Sequence, residues 1–135
     1  ILPFSIDSHN SIINEQKENA EMIVFGGFLG NYSKYSNNVF AFDFKKQEWK
    51  FYYENLPTKQ KKKENNSPQP KRRSNASINL INNFLFVFGG CKGSIKLNDL
   101  WKFDLEHCLW QQIIYKNDIT PEVFYFLILN FRLLC

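Results

Sequence analysis

The sequence is poor in the residues on which most metal and redox sites depend. Only two of its 135 residues are histidine, His9 and His107, and only three are cysteine, at positions 91, 108 and 135. Copper sites need histidine and tyrosine ligands that converge, and two scattered histidines do not supply them. An odd number of cysteines without paired spacing favours a reduced, intracellular setting over a disulfide framework.

Signatures of catalysis are also missing. Two Gly-Gly pairs occur, but neither is followed by a helix and a Lys-Ser/Thr pair, so a phosphate-binding loop is excluded. The neighbours His107 and Cys108 fall in a predicted turn, and we interpret them as a coincidence rather than a nucleophile and its base. Turns and loops account for the aspartates at 43, 99 and 104, which removes the case for paired-carboxylate hydrolysis. The sequence therefore predicts no catalytic residue, no metal and no cofactor.

What the sequence does contain is an internal repeat. The order apolar run, glycine pair, polar loop, Phe-Asp and tryptophan occurs at 22–49 and again at 84–110. Asp43 and Asp104 are 61 residues apart, and so are Trp49 and Trp110. Such repetition decides the fold, because each copy is one structural unit that needs a neighbour to cover its apolar faces.

Each copy predicts four short antiparallel strands. The runs 22–25 and 84–88 are apolar on both faces, as in strands buried between layers. The glycines end these strands, the segment before each Phe-Asp is the next, and each tryptophan opens another strand after a turn. The first strand comes from 74–80 in the second copy, and residues 8–13 align with 74–79 in the first. We expect both tryptophans to be buried.

Four strands with a glycine pair and a tryptophan at fixed places form one propeller blade. In this arrangement the chain resembles kelch-repeat proteins, and the resemblance covers roughly residues 8–121. It implies an all-β fold: an incomplete kelch propeller of two four-stranded blades with an atypical apolar C-terminal segment. The residues that carry the repeat are Gly26, Gly27, Asp43, Trp49, Arg72, Gly89, Gly90, Asn98, Asp99, Asp104 and Trp110.

One arginine opens the second copy. Pro70-Lys71-Arg72-Arg73 resembles the Pro-x-Arg with which a kelch blade begins, and the resemblance implies that this arginine ties the blade to a neighbouring backbone. Arg72 is the preferred match and Arg73 the second choice.

The repeat divides the chain into four parts. Residues 1–56 are predicted as the first blade, 57–71 as a basic, polar loop insertion and 72–116 as the second blade. Residues 117–135 are interpreted as a degenerate start of a third blade or, alternatively, as non-native sequence; a membrane anchor is the third reading. The chain begins without Met and two blades leave two faces open, so we expect a fragment of a larger ring, closed by further blades or other copies.

The resemblance implies a non-catalytic scaffold that binds a protein partner through loops on one rim, at 28–37 and 91–97. The residues predicted to contact the partner are Tyr32, Tyr35, Lys92 and Lys96. The alternative is the propeller part of an enzyme, or of a chain fused to a phosphatase or ubiquitin-ligase adaptor domain. The modest net charge of +4 requires no nucleic acid. We expect no small-molecule substrate and no membrane partner, and a cytoplasmic location with the nucleus as the alternative.

Overall fold

The computed structural model describes residues 5–15, 20–30, 33–53 and 68–114, and it contains no α-helix in these ranges. The strands are β1 Ile6–Asp7, β2 Asn10–Asn14, β3 Glu21–Phe25, β4 Phe28–Leu29, β5 Lys34–Tyr35, β6 Val39–Asp43, β7 Glu48–Tyr53, β8 Ser77–Ile81, β9 Phe84–Phe88, β10 Cys91–Lys92, β11 Ile95–Lys96, β12 Leu100–Asp104 and β13 Leu109–Ile113. The all-β prediction is confirmed.

Two four-stranded antiparallel sheets form the two predicted blades. The first blade has the strand order β2-β3-β6-β7, and the second has the same order with β8-β9-β12-β13. Equivalent residues pair alike: Phe42 lies opposite Trp49, and Phe103 lies opposite Trp110. The two sheets do not close into a ring. Most of the predicted insertion and all of 117–135 lie outside the described residues, so the domain boundaries stay predictions.

The alignment of the first strands needs a correction of one residue. Asn10 pairs with Phe25 in the first blade, and the equivalent of Phe25 in the second, Phe88, pairs with Ser77. Ser8 therefore corresponds to Asn75 and not to Ser74. Ser8 and Asn75 each have a φ of 53°. Matching the two serines was wrong because sequence identity there does not follow the strand pairing. A slip of one residue exchanges the two faces of a strand.

The two blades stack face to face and share one apolar core. The first blade contributes Ile23, Phe25, Val39 and Ala41, and the second contributes Ala76, Ile78, Leu85, Val87, Trp101, Phe103, Leu105 and Trp110. The two first strands also meet: the side-chain amide of Asn10 donates to the carbonyl of Ala76, and the amide of Asn75 donates to the carbonyl of Ser8 at 3.0 Å. Burial of each large apolar side chain stabilises the stack by about 1.5–3 kcal/mol.

The opposite face of each blade carries several partly exposed apolar side chains. On the first blade Ile13 is 54% and Phe51 38% exposed, and on the second Ile81 is 40% and Leu109 54% exposed. The two blades use equivalent faces differently. The face that carries Trp110 in the second blade packs against the first blade, whereas the equivalent face of the first blade, which carries Trp49, is turned away from the second. The stacking is therefore directional, like that of successive units in a repeat protein.

Candidate functional site

A glycine pair follows the second strand of each blade, and the chain leaves the sheet there, at the same edge in both blades. All four glycines have φ between 62° and 93°. A Cβ atom at Gly90 would lie 2.6 Å from the carbonyl oxygen of Ser74, and one at Gly27 would lie 2.8 Å from that of Asp7. Only glycine fits where backbone approaches this closely at positive φ.

Short hairpins follow the glycines and form one edge of the stack, which we call the rim. The β4–β5 hairpin is joined by β1 in a three-stranded sheet, and the β10–β11 hairpin is a two-stranded sheet bridged to the chain at Ser74 through Cys91. Of the predicted contact residues, Lys92 and Lys96 are exposed on the second hairpin. Tyr35 is half-buried, with its ring edge-to-face against Phe28 at 5.3 Å. Tyr32 lies outside the described residues.

Arg73, and not Arg72, is the arginine that ties the second blade together. Its side chain is fully buried. Nη1 and Nη2 donate to the two carboxylate oxygens of Asp99 at 2.5 and 2.8 Å, Nη1 also donates to the carbonyl of Gly89 at 2.8 Å, and Nε donates to that of Lys71 at 2.8 Å. A buried guanidinium requires this degree of pairing. Arg72 is half-buried.

The backbone explains why the preference for Arg72 was wrong. The amide of Arg73 donates to the carbonyl of Ser36 at 2.8 Å, and its own carbonyl accepts from the amide of Gly27 at 2.9 Å. These two bonds hold Arg73 at the first blade with its side chain toward Asp99. The spacing Pro-x-Arg pointed one residue too early, and the signal that could have corrected it is the position directly before Ser74.

Asp99 is the partner that makes this burial possible. It also accepts a hydrogen bond from Nε1 of Trp101 at 2.7 Å. Burial raises the pKa of Asp99, but the hydrogen bonds from Arg73 and Trp101 and the charge of Arg73 outweigh it, so the net pKa lies below the ordinary value. At the equivalent positions the first blade has Asn38 and Phe40.

Two aspartates organise the turns at the opposite edge. Asp43 Oδ1 accepts from the amides of Lys45 and Lys46 at 3.0 and 2.9 Å. Asp104 Oδ1 accepts from the amides of residues 106 and 107 at 2.8 and 3.1 Å, and its Oδ2 lies 2.9 Å from Nδ1 of His107. The hydrogen bonds from His107 lower the pKa of Asp104, and the backbone amide of Lys46 lowers that of Asp43.

The two repeat tryptophans differ in burial. Trp110 is 5% exposed and packs on Phe103 at 4.7 Å and on Phe25 of the first blade at 5.6 Å. Trp49 packs on Phe42 and Phe40 within its own blade but is only half-buried. The expectation that both are buried was wrong for Trp49, because the second blade packs on the other face of the first blade.

A pocket of about 440 Å³ lies beside the second rim hairpin. Its lining combines the chain entering the second blade with the connection from β11 to β12 and the end of β13. The lining residues are Pro68, Gln69, Lys71, Lys96, Leu97, Asn98, Asp99, Trp101 and Gln112. Asn98, a repeat residue in the sequence, is exposed here.

Within the described ranges no three histidine, cysteine, aspartate or glutamate side chains come together as metal ligands would. Cys91 and Cys108 are free thiols. In these ranges no helix has the length and the apolar character that spanning a membrane requires.

A family model described as the KLHDC2/KLHL20/DRC7 Kelch-repeats domain matches residues 2–126. The chain belongs to the kelch-repeat family. This kelch chain is 30% identical over 98 residues to Leucine-zipper-like transcriptional regulator 1 of Homo sapiens and of Mus musculus, covering 73% of the chain and 11% of each relative. It is 29% identical over 133 residues to Tip elongation aberrant protein 3 of Schizosaccharomyces pombe, covering 83% of the chain and 11% of that protein.

The kelch chain thus spans about a ninth of the length of these relatives. The family match confirms the kelch resemblance and the blade interpretation of the repeat. A kelch-repeat domain indicates a protein-interaction module, and one of the relatives is named as a transcriptional regulator.

Proposed function

We propose that this chain is a non-catalytic protein-interaction module, part of a larger propeller, which presents its rim hairpins to a protein partner. The observation that carries the proposal is that a buried, hydrogen-bonded side chain supports the second blade while the hairpin beside it exposes charged side chains. The buried Arg73 side chain forms a bidentate pair with the half-buried Asp99, while Lys92 and Lys96, on the β10–β11 hairpin, are exposed. Binding surfaces gain affinity when the scaffold beneath them is already ordered.

The rim is held by main-chain hydrogen bonds rather than by flexible side chains. The amide of Leu97 donates to the carbonyl of Gly90 at 2.9 Å, and Cys91 and Ser74 exchange two hydrogen bonds of 2.9 Å each. Within the first hairpin the amide of Ser36 donates to the carbonyl of Gly27 at 2.8 Å. These bonds support a surface that changes little on binding.

Ring closure is the second part of the proposal. In the observed stack Phe25 of one blade packs on Trp110 of the next. The equivalent residues, on the faces turned away from the shared core, are Phe88 and Trp49. A further blade, or a second copy of the chain, would cover the half-buried Trp49 on one of these faces and the exposed Ile81 and Leu109 on the other.

Site-specific photo-crosslinking tests the rim assignment. A photoreactive amino acid at position 35 or 96 is expected to capture a common protein in cells of the source organism. The same amino acid at Lys45 or His107, in exposed turns at the opposite edge, is the matched control. Capture of that protein from the turns but not from the rim would contradict the proposal.

We also propose a cytoplasmic location, with the nucleus as the alternative. The free thiols of Cys91 and Cys108 support a reducing compartment. Microscopy of the full-length protein with a fluorescent tag tests this, and a secreted product would contradict it.

A further inference from the structure

We propose that the pocket beside the second rim hairpin binds an acidic segment of the protein partner, with Lys71 and Lys96 receiving its carboxylates. This inference rests on the proposed function and gives it a partner chemistry. It is carried by the charge, the size and the rigidity of the pocket.

The pocket is positive although an aspartate lines it. Both carboxylate oxygens of Asp99 are occupied by Arg73, which cancels its charge, and one also accepts from Trp101. Lys71 and Lys96 are exposed and form no ion pair in the described part of the chain. Two ammonium groups therefore remain to attract an anion, and a carboxylate satisfies both their charge and their hydrogen bonds.

Size and lining favour a peptide over a small free anion. A volume of about 440 Å³ lies within the range of ligand pockets, roughly 300–1,000 Å³. Three primary amides line it, at Gln69, Asn98 and Gln112, and the Gln112 side chain carries both a donor and an acceptor that a peptide main chain can complement. Pro68 and Leu97 add apolar surface for the aliphatic part of a side chain.

Both walls of the pocket are anchored to the fold. The side-chain amide of Asn37, in the first blade, donates to Oε1 of Gln69 at 3.2 Å and to the carbonyl of Pro70 at 3.0 Å. The carbonyl of Lys71 accepts from Arg73, and Leu97 is held to Gly90. The lysine backbones are thus positioned before any ligand arrives, which reduces the entropy lost on binding.

A nucleic acid fits this pocket less well. Proteins that bind single strands stack bases on exposed aromatic rings. The aromatic residue here, Trp101, is only 5% exposed, and its indole nitrogen is bound to Asp99. The amides and lysines alone provide no such stacking surface.

Fluorescence anisotropy of the 135-residue chain with a short labelled peptide of alternating glutamate and glycine tests the proposal. A peptide with glutamine in place of glutamate should bind much more weakly. Lys71→Ala combined with Lys96→Ala should weaken binding of the glutamate peptide by at least about tenfold, since two charge-assisted hydrogen bonds are lost. The double change to arginine should retain it. Lys45→Ala removes the same charge from an exposed turn at the opposite edge, and should change the affinity less than about twofold.

Three results would overturn the proposal: equal binding of the two peptides, a loss with Lys45→Ala as large as with the pocket variants, or tighter pocket-dependent binding of a labelled oligothymidine. Thermal melts of each variant identify any that fail to fold, and the arginine variant then serves as the test. If crosslinking at the rim captures a partner while the glutamate peptide fails, only the acidic chemistry is wrong and the interaction function stands.

Discussion

Phe25 of the first blade meets Trp110 of the second edge to face, with ring centroids 5.6 Å apart and planes at 63°. Each of these residues has a fixed place in its own repeat unit, one directly before a glycine pair and the other in the last strand. Their contact joins two units of the same design in a fixed direction. Four expectations about stability follow from this arrangement and from the anchors around it.

Truncating the two repeat tryptophans should have unequal effects. Trp110→Ala removes a buried indole from the shared core and should destabilise the chain by about 3–5 kcal/mol. Trp49→Ala should cost less than half of that, because Trp49 is already half solvated. Urea unfolding followed by circular dichroism measures both. Equal losses would show that Trp49 is covered as fully as Trp110.

Arg73→Ala should be among the most damaging single changes. It removes the guanidinium that pairs with the Asp99 carboxylate and donates to the Gly89 carbonyl, and breaking a buried pair in this way costs about 3–5 kcal/mol. Arg72→Ala is the matched control, with an expected loss of no more than about 1 kcal/mol. The same unfolding assay compares them, and a larger loss for Arg72→Ala would restore the original sequence interpretation.

Gly90→Ala should cost far more than Gly93→Ala. Both glycines have positive φ, 89° and 63°, but a Cβ at Gly93 meets nothing within 4 Å. Gly93→Ala therefore reports the backbone strain alone, about 1–2 kcal/mol. Gly90→Ala adds a collision with the Ser74 carbonyl at 2.6 Å, and Gly89→Val should likewise unfold its blade. Differential scanning calorimetry of the pair measures the difference, and equal melting temperatures would refute the close approach.

Lowering the pH should destabilise the second blade, because the Asp99 carboxylate becomes protonated. Burial raises the pKa of this carboxyl, but the bonds to Arg73 and Trp101 outweigh burial and leave the net pKa below its ordinary value of 3.8. A depressed folded-state pKa contributes stability that is present above the unfolded value and is lost as the pH falls through the folded one. Stability should therefore fall below about pH 4 more steeply in the wild type than in Asp99→Asn. If the free energy of unfolding falls with pH equally steeply in both proteins, carboxylates other than Asp99 determine the acid sensitivity.

Local chemistry in the sequence predicted much of the fold. The apolar runs, the glycine pairs and the aspartates at the turns act within their own strands and turns, so a repeat is sufficient to find them. Three features were not predicted correctly from the sequence, and for a common reason. Which arginine is buried, how the first strands align, and whether Trp49 is covered all depend on contacts between units, as the Arg73 amide on Ser36 and the Phe25 ring on Trp110 illustrate.

The candidate site was predictable only as a region. The polar loops at 28–37 and 91–97 mark the rim, but the pocket joins Lys71 to Lys96 across residues distant in the chain. No spacing in the sequence indicates that Asp99 is neutralised by Arg73, and this neutralisation is what leaves the pocket positive.

A double-mutant cycle between Phe25 and Trp110 tests the stacking of the two blades most directly. Phe25→Leu and Trp110→Phe, singly and together, should reveal a coupling of about 0.5–1.5 kcal/mol, as expected for an aromatic pair in contact. The equivalent cycle of Phe88 and Trp49, at dilute concentration, should give a coupling near zero, because those residues lie on opposite sides of the two-blade stack. Zero coupling between Phe25 and Trp110, or equal coupling in both pairs, would contradict the stacking.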